Sequence, residues 1–168
     1  MRHAYLQLDW NQHSLLAGQT SDLISPLFPS VNGDTMMWNA GNLGDRRMQV
    51  RYGYESESGL TFRAGVGMTG AVDPLDADSN GILDGEAATT PNIQGRVGYD
   101  SSKFSVGAWS HYARLHTDAF FGFQNDFNGY SYGTDFDFRL TPRVNVRGEA
   151  WAGSNLGDMR GGIGQSFN

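Results

Sequence analysis

Two sets of residues in this chain have the types and spacing for chemistry. The first is Asp76-Ala77-Asp78-Ser79-Asn80-Gly81-Ile82-Leu83-Asp84-Gly85-Glu86. Oxygens on alternate residues can wrap a hard divalent cation, and glycine at the sixth position permits the sharp turn. The spacing makes Asp76, Asp78, Asn80, the Ile82 carbonyl and Asp84 the expected Ca2+ ligands. The twelfth position is Ala87, and Glu86 falls one residue early. The loop is therefore closer to the short Asp-rich loops of extracellular proteins than to an EF-hand, with affinity in the roughly millimolar range. A solvated acidic loop is the plain alternative. Bound calcium would order the 71–91 segment rather than perform a reaction.

The second set is Arg51, Arg63, Arg96, Arg139 and Arg147, with Arg46 and Arg47 just upstream of the first. Guanidinium groups recognise carboxylates and phosphates by charge and paired hydrogen bonds. Asp9, Glu55, Asp135, Asp137 and Glu149 share the same face by strand parity, so a charge-balanced surface is the competing reading. Asp135 and Asp137 are close enough for an acid/base pair, but no nucleophile or substrate pocket accompanies them. No enzymatic activity is expected. His3, His13, His111 and His116 read as surface or lumen histidines, and no metal is assigned to them.

The elements that must position these residues are strands. The 168 residues include 23 glycines and no cysteine, with 12 basic against 18 acidic residues. A disulfide framework and a cysteine metal site are excluded. The charge leaves no positive footprint for nucleic acid. No apolar run approaches the roughly 18 residues of a spanning helix. Patterned sequence begins at Ala4, so no signal peptide is expected within these residues.

Leu60, Phe62, Ala64, Val66 and Met68 alternate with Thr61, Arg63, Gly65, Gly67 and Thr69. That period of two is the strand signature. It recurs over 48–55, 92–99, 103–108, 130–140 and 144–147, with weaker segments at 4–10 and 13–20. About eight strands and no convincing helix are predicted. Asn11-Gln12, Ser56-Glu57-Ser58, Ser101-Ser102 and Thr141-Pro142-Arg143 are tight turns. Long Gly-, Asp-, Asn-, Ser- or Pro-rich connections at about 21–45, 71–91 and 113–129 lie at the other end. Counting back from the turns sets Arg51 opposite Arg63, Asp100 opposite Lys103, Val97 opposite Val106, Leu140 opposite Val144, and Asp137 opposite Arg147 as an ion pair.

The expected fold is all-β: an antiparallel up-and-down meander of about eight strands, part of a transmembrane β-barrel. Strands of about ten residues suit a bilayer crossing. Aromatic residues near strand ends (Trp10, Tyr52, Tyr54, Tyr99, Tyr130, Tyr132) suit interfacial girdles, and the short-turn/long-loop asymmetry is that of outer-membrane barrels. A secreted or surface-attached, calcium-stabilised soluble β-domain is the open alternative, because a soluble sheet also alternates. A small eight-stranded barrel acting as an anchor or adhesin is a third. A bare apolar face distinguishes the barrel from the soluble domain. The poor alternation before Phe167 predicts a partial domain, cut at both ends, over 1–168.

Particular stretches carry a family resemblance. Ala17-Gly18-Gln19-Thr20 with Asp22-Leu23-Ile24-Ser25-Pro26-Leu27-Phe28-Pro29 resembles the DcaP-like porins of Gram-negative outer membranes. So do Asn32-Gly33-Asp34-Thr35, Trp38-Asn39-Ala40-Gly41-Asn42-Leu43-Gly44-Asp45-Arg46-Arg47, Gly148-Glu149-Ala150-Trp151, Asn155-Leu156-Gly157-Asp158 and Arg160-Gly161-Gly162-Ile163-Gly164-Gln165. The resemblance implies a trimeric outer-membrane channel for passive diffusion of small hydrophilic solutes, dicarboxylates in some members. It implies outer-membrane lipid and a homotrimer as partners. Pore-lining roles are expected for Arg51, Arg63, Arg96, Asp135, Asp137, Arg139, Arg147 and Glu149. The repeat of Asn42-Leu43-Gly44-Asp45-Arg46-Arg47 in Asn155-Leu156-Gly157-Asp158-Met159-Arg160 suggests either a shared Gly-Asp turn or an inward-folded constriction. The apolar 21–45 connection, with Asp22, Asp45, Arg46 and Arg47, is expected to form that constriction or a subunit interface.

Overall fold

The computed structural model describes residues 3–28, 42–69, 90–116, 126–156 and 159. They form β1 (Ala4–Trp10), β2 (His13–Ser21), β3 (Arg46–Glu55), β4 (Leu60–Gly67), β5 (Asn92–Asp100), β6 (Phe104–His116), β7 (Asp126–Thr141) and β8 (Val144–Ser154). All eight lie in one antiparallel sheet in sequence order. The meander follows from the alternation and the short turns, since each strand pairs with the neighbour its hairpin or loop delivers.

Facing parity is as the sequence predicts, but two registers slide by two residues. Arg51 lies opposite Gly65, and Arg63 opposite Arg96, not Arg51. Five residues rather than three separate Glu55 from its partner, Thr61, and the added two include Gly59, whose φ of 93° places it in the left-handed region. Ser56 to Gly59 closes a turn, with Gly59 N–H donating to the Ser56 carbonyl at 3.0 Å, and Ser56 N–H to the Leu60 carbonyl at 2.8 Å. A turn followed by a left-handed glycine is longer than the residue types alone indicate. At 101–104, Asp100 pairs with Ser105 rather than Lys103, and Val97 with Ala108 rather than Val106. Asp137 does oppose Arg147, but a bulge between Arg139 and Thr141 pairs Thr141, not Leu140, with Val144. The Asp137 carboxylate accepts from Asn145 Nδ2 at 3.2 Å. Among the described residues no ion pair joins it to Arg147.

Burial runs opposite to that of a soluble sheet. Phe62 is 45% exposed, Val97 49% and Ile93 52%, whereas Thr61, Asn92, Gln94 and Arg96 on the other face are buried. The apolar face is therefore the outer one. Trp10, His13, Tyr52 and Tyr54 cluster on it at the short-turn end, and Tyr99, Phe104, Phe136 and Phe138 continue the belt across β5–β7. Tyr112 and Tyr130 face each other near the long-loop end. Beyond Tyr112 the outer face turns polar: its hydroxyl donates to Asn128, and Arg114 pairs with Asp126 at 3.0 Å. The eight steps from Phe104 to Tyr112 span about 26 Å along the strand at about 3.3 Å each, which at the tilt of about 35–45° of outer-membrane barrel strands covers about 20 Å of their apolar band of about 25 Å.

On the inner face, large side chains stand opposite glycines. The cross-strand pairs include Arg51–Gly65, Arg63–Gly53, Trp109–Gly133 and Asp135–Gly107. A large residue can then lie flat over its small neighbour, as in the alternating large and small interiors of barrels.

Candidate functional site

The chain does not leave the sheet after β2. Residues 22–28 fold across the inner face from β2 to β8. Asp22 begins the crossing: its carboxylate takes Arg47 Nε at 2.8 Å and Gln94 Nε2 at 2.6 Å, and accepts from the Asp45 N–H at 2.8 Å. Leu23 N–H donates to Gln94 Oε1 at 2.6 Å, tying the segment to β5. Ile24 packs with Leu43, Trp109 and Met159, flanked by Trp151 and Leu156. Ser25 Oγ lies in hydrogen-bond reach of both Asn42 Oδ1 and Glu149 Oε2, its one proton serving either, and Leu27 N–H donates to Glu149 Oε1 at 2.6 Å. Gly44 N–H reaches the Met159 carbonyl at 2.7 Å. Buried backbone needs partners, and here wall side chains supply them.

Arg51, Arg63 and Arg96 border a cavity of about 260 Å3 beside this segment, with Ser21, Asp22 and Phe28. Arg51 and Arg63 also line a larger cavity of about 570 Å3 toward the short turns, with Asp9, Glu55 and Glu57. The three cations differ in how far they are neutralised. Arg96 is clamped by Asp135 through Nε at 3.1 Å and a terminal nitrogen at 2.6 Å, both side chains being buried. Arg51 donates to the Ser21 carbonyl at 2.5 Å and Gln49 Oε1 at 2.9 Å, but faces no carboxylate at bonding distance among the described residues. Arg63, half-buried, has no hydrogen-bond or ion-pair partner among them. The smaller cavity is thus lined by arginines, two of which, Arg51 and Arg63, have no bonded carboxylate among the described residues, whereas the larger sets Asp9, Glu55 and Glu57 against the same two.

The remaining expected residues separate. Arg47 belongs to the Asp22 clamp, whereas Arg46 has the parity of outward-facing Met48 and Val50. Arg139 sits at the short-turn rim and donates to the Ser101 and Ser102 carbonyls at 3.2 and 3.1 Å. Arg147 is exposed at the same end. Asp135 is engaged by Arg96, so it makes no acid/base pair with Asp137. Asp76, Asp78, Asn80, Ile82 and Asp84 lie outside the described residues, as do 29–41 of the long connection.

Several contributors escape the sequence pattern. Gln49, Asn92 and Gln94 are buried amides on the polar parity that knit the clamp. Trp109, on the same parity, is the platform for Ile24. His111 is buried, with Nδ1 at 2.5 Å from Ser131 Oγ. Only the parity of Gln94 and Trp109 could have marked them, since their partners lie far along the chain.

An open antiparallel meander, apolar outside and polar inside, with a segment folded over its inner face, has the architecture of a porin wall. The crystal structure of the outer membrane channel DcaP of Acinetobacter baumannii shares it: TM-score 0.72 at 17% identity, over 94% of this chain and 42% of that one. The DcaP-like fold expected from the sequence is thus found. The chain spans less than half the length of that channel. No protein-family profile matches the sequence, and no curated protein matches it significantly.

Proposed function

We propose that this sheet forms about half the wall of an outer-membrane channel for passive diffusion of small hydrophilic solutes, with a preference for anions that extends to dicarboxylates. The bare apolar face carries this reading. Large hydrophobic side chains stay exposed on all eight strands, and among the described residues no second layer covers them. In water that would be a large exposed patch; in a bilayer it is the lipid-facing band. The soluble β-domain reading needs a covering layer and is less well supported.

The anion preference rests on Arg51 and Arg63, cations on the inner face with no bonded carboxylate among the described residues. Rings of like charge in a pore select by sign. The test is planar-bilayer recording of the full-length protein under a KCl gradient. Discrete conductance steps with a reversal potential toward chloride are expected; no conductance would overturn the channel, and a potential toward potassium the anion preference. Calcium at Asp76–Asp84 and a homotrimer remain part of the proposal. Calorimetric Ca2+ titration and the mass of the detergent-extracted protein test them.

A further inference from the structure

We propose that Gly98 and Gly107 set the charge selectivity of this passage by giving the Arg96 guanidinium a flat berth against Asp135. The inference rests on the channel reading above. Thr61, Gly98, Gly107 and Asp135 form one cross-strand row on β4, β5, β6 and β7. Arg96 starts one row away, directly opposite Arg63. Two arginines in that relation repel, and Arg96 turns from Arg63 across the glycines to its carboxylate. It has space only because both berth positions lack a side chain. A methyl on Gly107 would stand 2.4 Å from a terminal nitrogen of Arg96, 2.7 Å from its Cζ and 2.7 Å from Asp135 Oδ2. A methyl on Gly98 would stand 2.8 Å from the other terminal nitrogen, 2.9 Å from Thr61 Oγ1 and 3.1 Å from the Val106 carbonyl oxygen.

The nearest of these clashes, at both glycines, is with the far end of the flexible Arg96 side chain. The guanidinium yields more easily than the strand, and its free direction is away from the wall. Lifting it moves a cation from its bonded carboxylate toward permeating ions and toward Arg63. A methyl carries no charge, so a change in ion selectivity points to the displaced charged groups, Arg96 and the Asp135 it binds, and the Arg96→Gln background tells the two apart. Gly98 and Gly107 are therefore positioning residues that act through Arg96.

The experiment is bilayer recording of the full-length protein carrying Gly107→Ala or Gly98→Ala, each alone and with Arg96→Gln. Gly95→Ala is the control: that glycine points to the outer face, where an added methyl meets nothing nearer than 3.9 Å. Expected are a reversal potential shifted further toward chloride and a lower conductance in Gly107→Ala, with Gly98→Ala in the same direction and Gly95→Ala unchanged. In the Arg96→Gln background both shifts vanish, the non-additivity of residues acting as one unit. A shift that survives in Arg96→Gln, or no shift in both berth variants, overturns the inference while the channel stands. No conductance from the unsubstituted protein overturns the channel reading, and this inference with it. If Gly107→Ala does not assemble, Gly98→Ala alone decides by the same two criteria.

Discussion

Glu149 joins β8 to the segment that crosses the inner face. It accepts from Ser25 Oγ and from Leu27 N–H. A hydrogen bond to a charged group contributes about 1.5–3 kcal/mol, enough to fix a short segment against thermal motion. Glu149→Ala leaves the Leu27 N–H unpartnered and Ser25 with Asn42 alone, and should free residues 26–28 from the wall. Single-channel recordings are expected to show higher conductance and more open-state noise. Glu149→Gln keeps one acceptor oxygen for the Leu27 N–H and can donate from Nε2 to Ser25 Oγ, and should lie closer to wild type than Glu149→Ala. A second prediction concerns Arg63. Arg63→Ala and Arg96→Ala should each lower anion preference, the first by removing a cation and the second by leaving the Asp135 carboxylate uncompensated. The screening length falls from about 10 Å at 0.1 M salt to about 3 Å at 1 M. Reversal potentials of wild type and Arg63→Ala should therefore converge in concentrated KCl.

At the scale of elements, the β3–β4 hairpin depends on Gly59. Its φ is 93°, and an added Cβ would lie 2.1 Å from the Asp100 carbonyl oxygen. That oxygen is backbone and cannot step aside. Gly59→Ala is expected to cost about 1–3 kcal/mol, the usual range for a side chain forced into a strained conformation, measured by urea-dependent refolding into lipid vesicles. The same glycine limits what the sequence discloses. Eight strands, their faces and their turns are legible because a period of two repeats over long segments. Register is not, because two more residues in a turn, as at 56–60 and 101–104, move a hairpin by two without changing which side chains share a face. Arg51, Arg63 and Arg96 could thus be assigned to one face, but not the Arg63–Arg96 juxtaposition. The segment 22–28 could be flagged as too apolar for a solvated loop. Its partners could not be read, since Gln94 and Glu149 are set by how the sheet brings distant strands together.

For the whole molecule, the decisive property is which face meets water. If β5 crosses a bilayer, Val97 points into lipid. Val97→Arg is then expected to cost about 2–4 kcal/mol near the midplane, read from refolding into vesicles. In a soluble domain the same substitution at a half-exposed position would be close to neutral. The contrast separates the two architectures without reference to conduction.

The crossing segment also bears on how such a wall is assembled. Ser25 and Glu149 are 124 residues apart in sequence, and Leu27 and Glu149 are 122 apart. Neighbouring strands close short loops, but these contacts require every strand from β3 to β8 to be in place. Contacts of long sequence separation form late, because loop entropy must be overcome before they contribute. The nascent wall should therefore pass through a wide-bored intermediate in which residues 22–28 are not yet docked. Protease susceptibility at that segment should disappear last, after strand content has reached its final value.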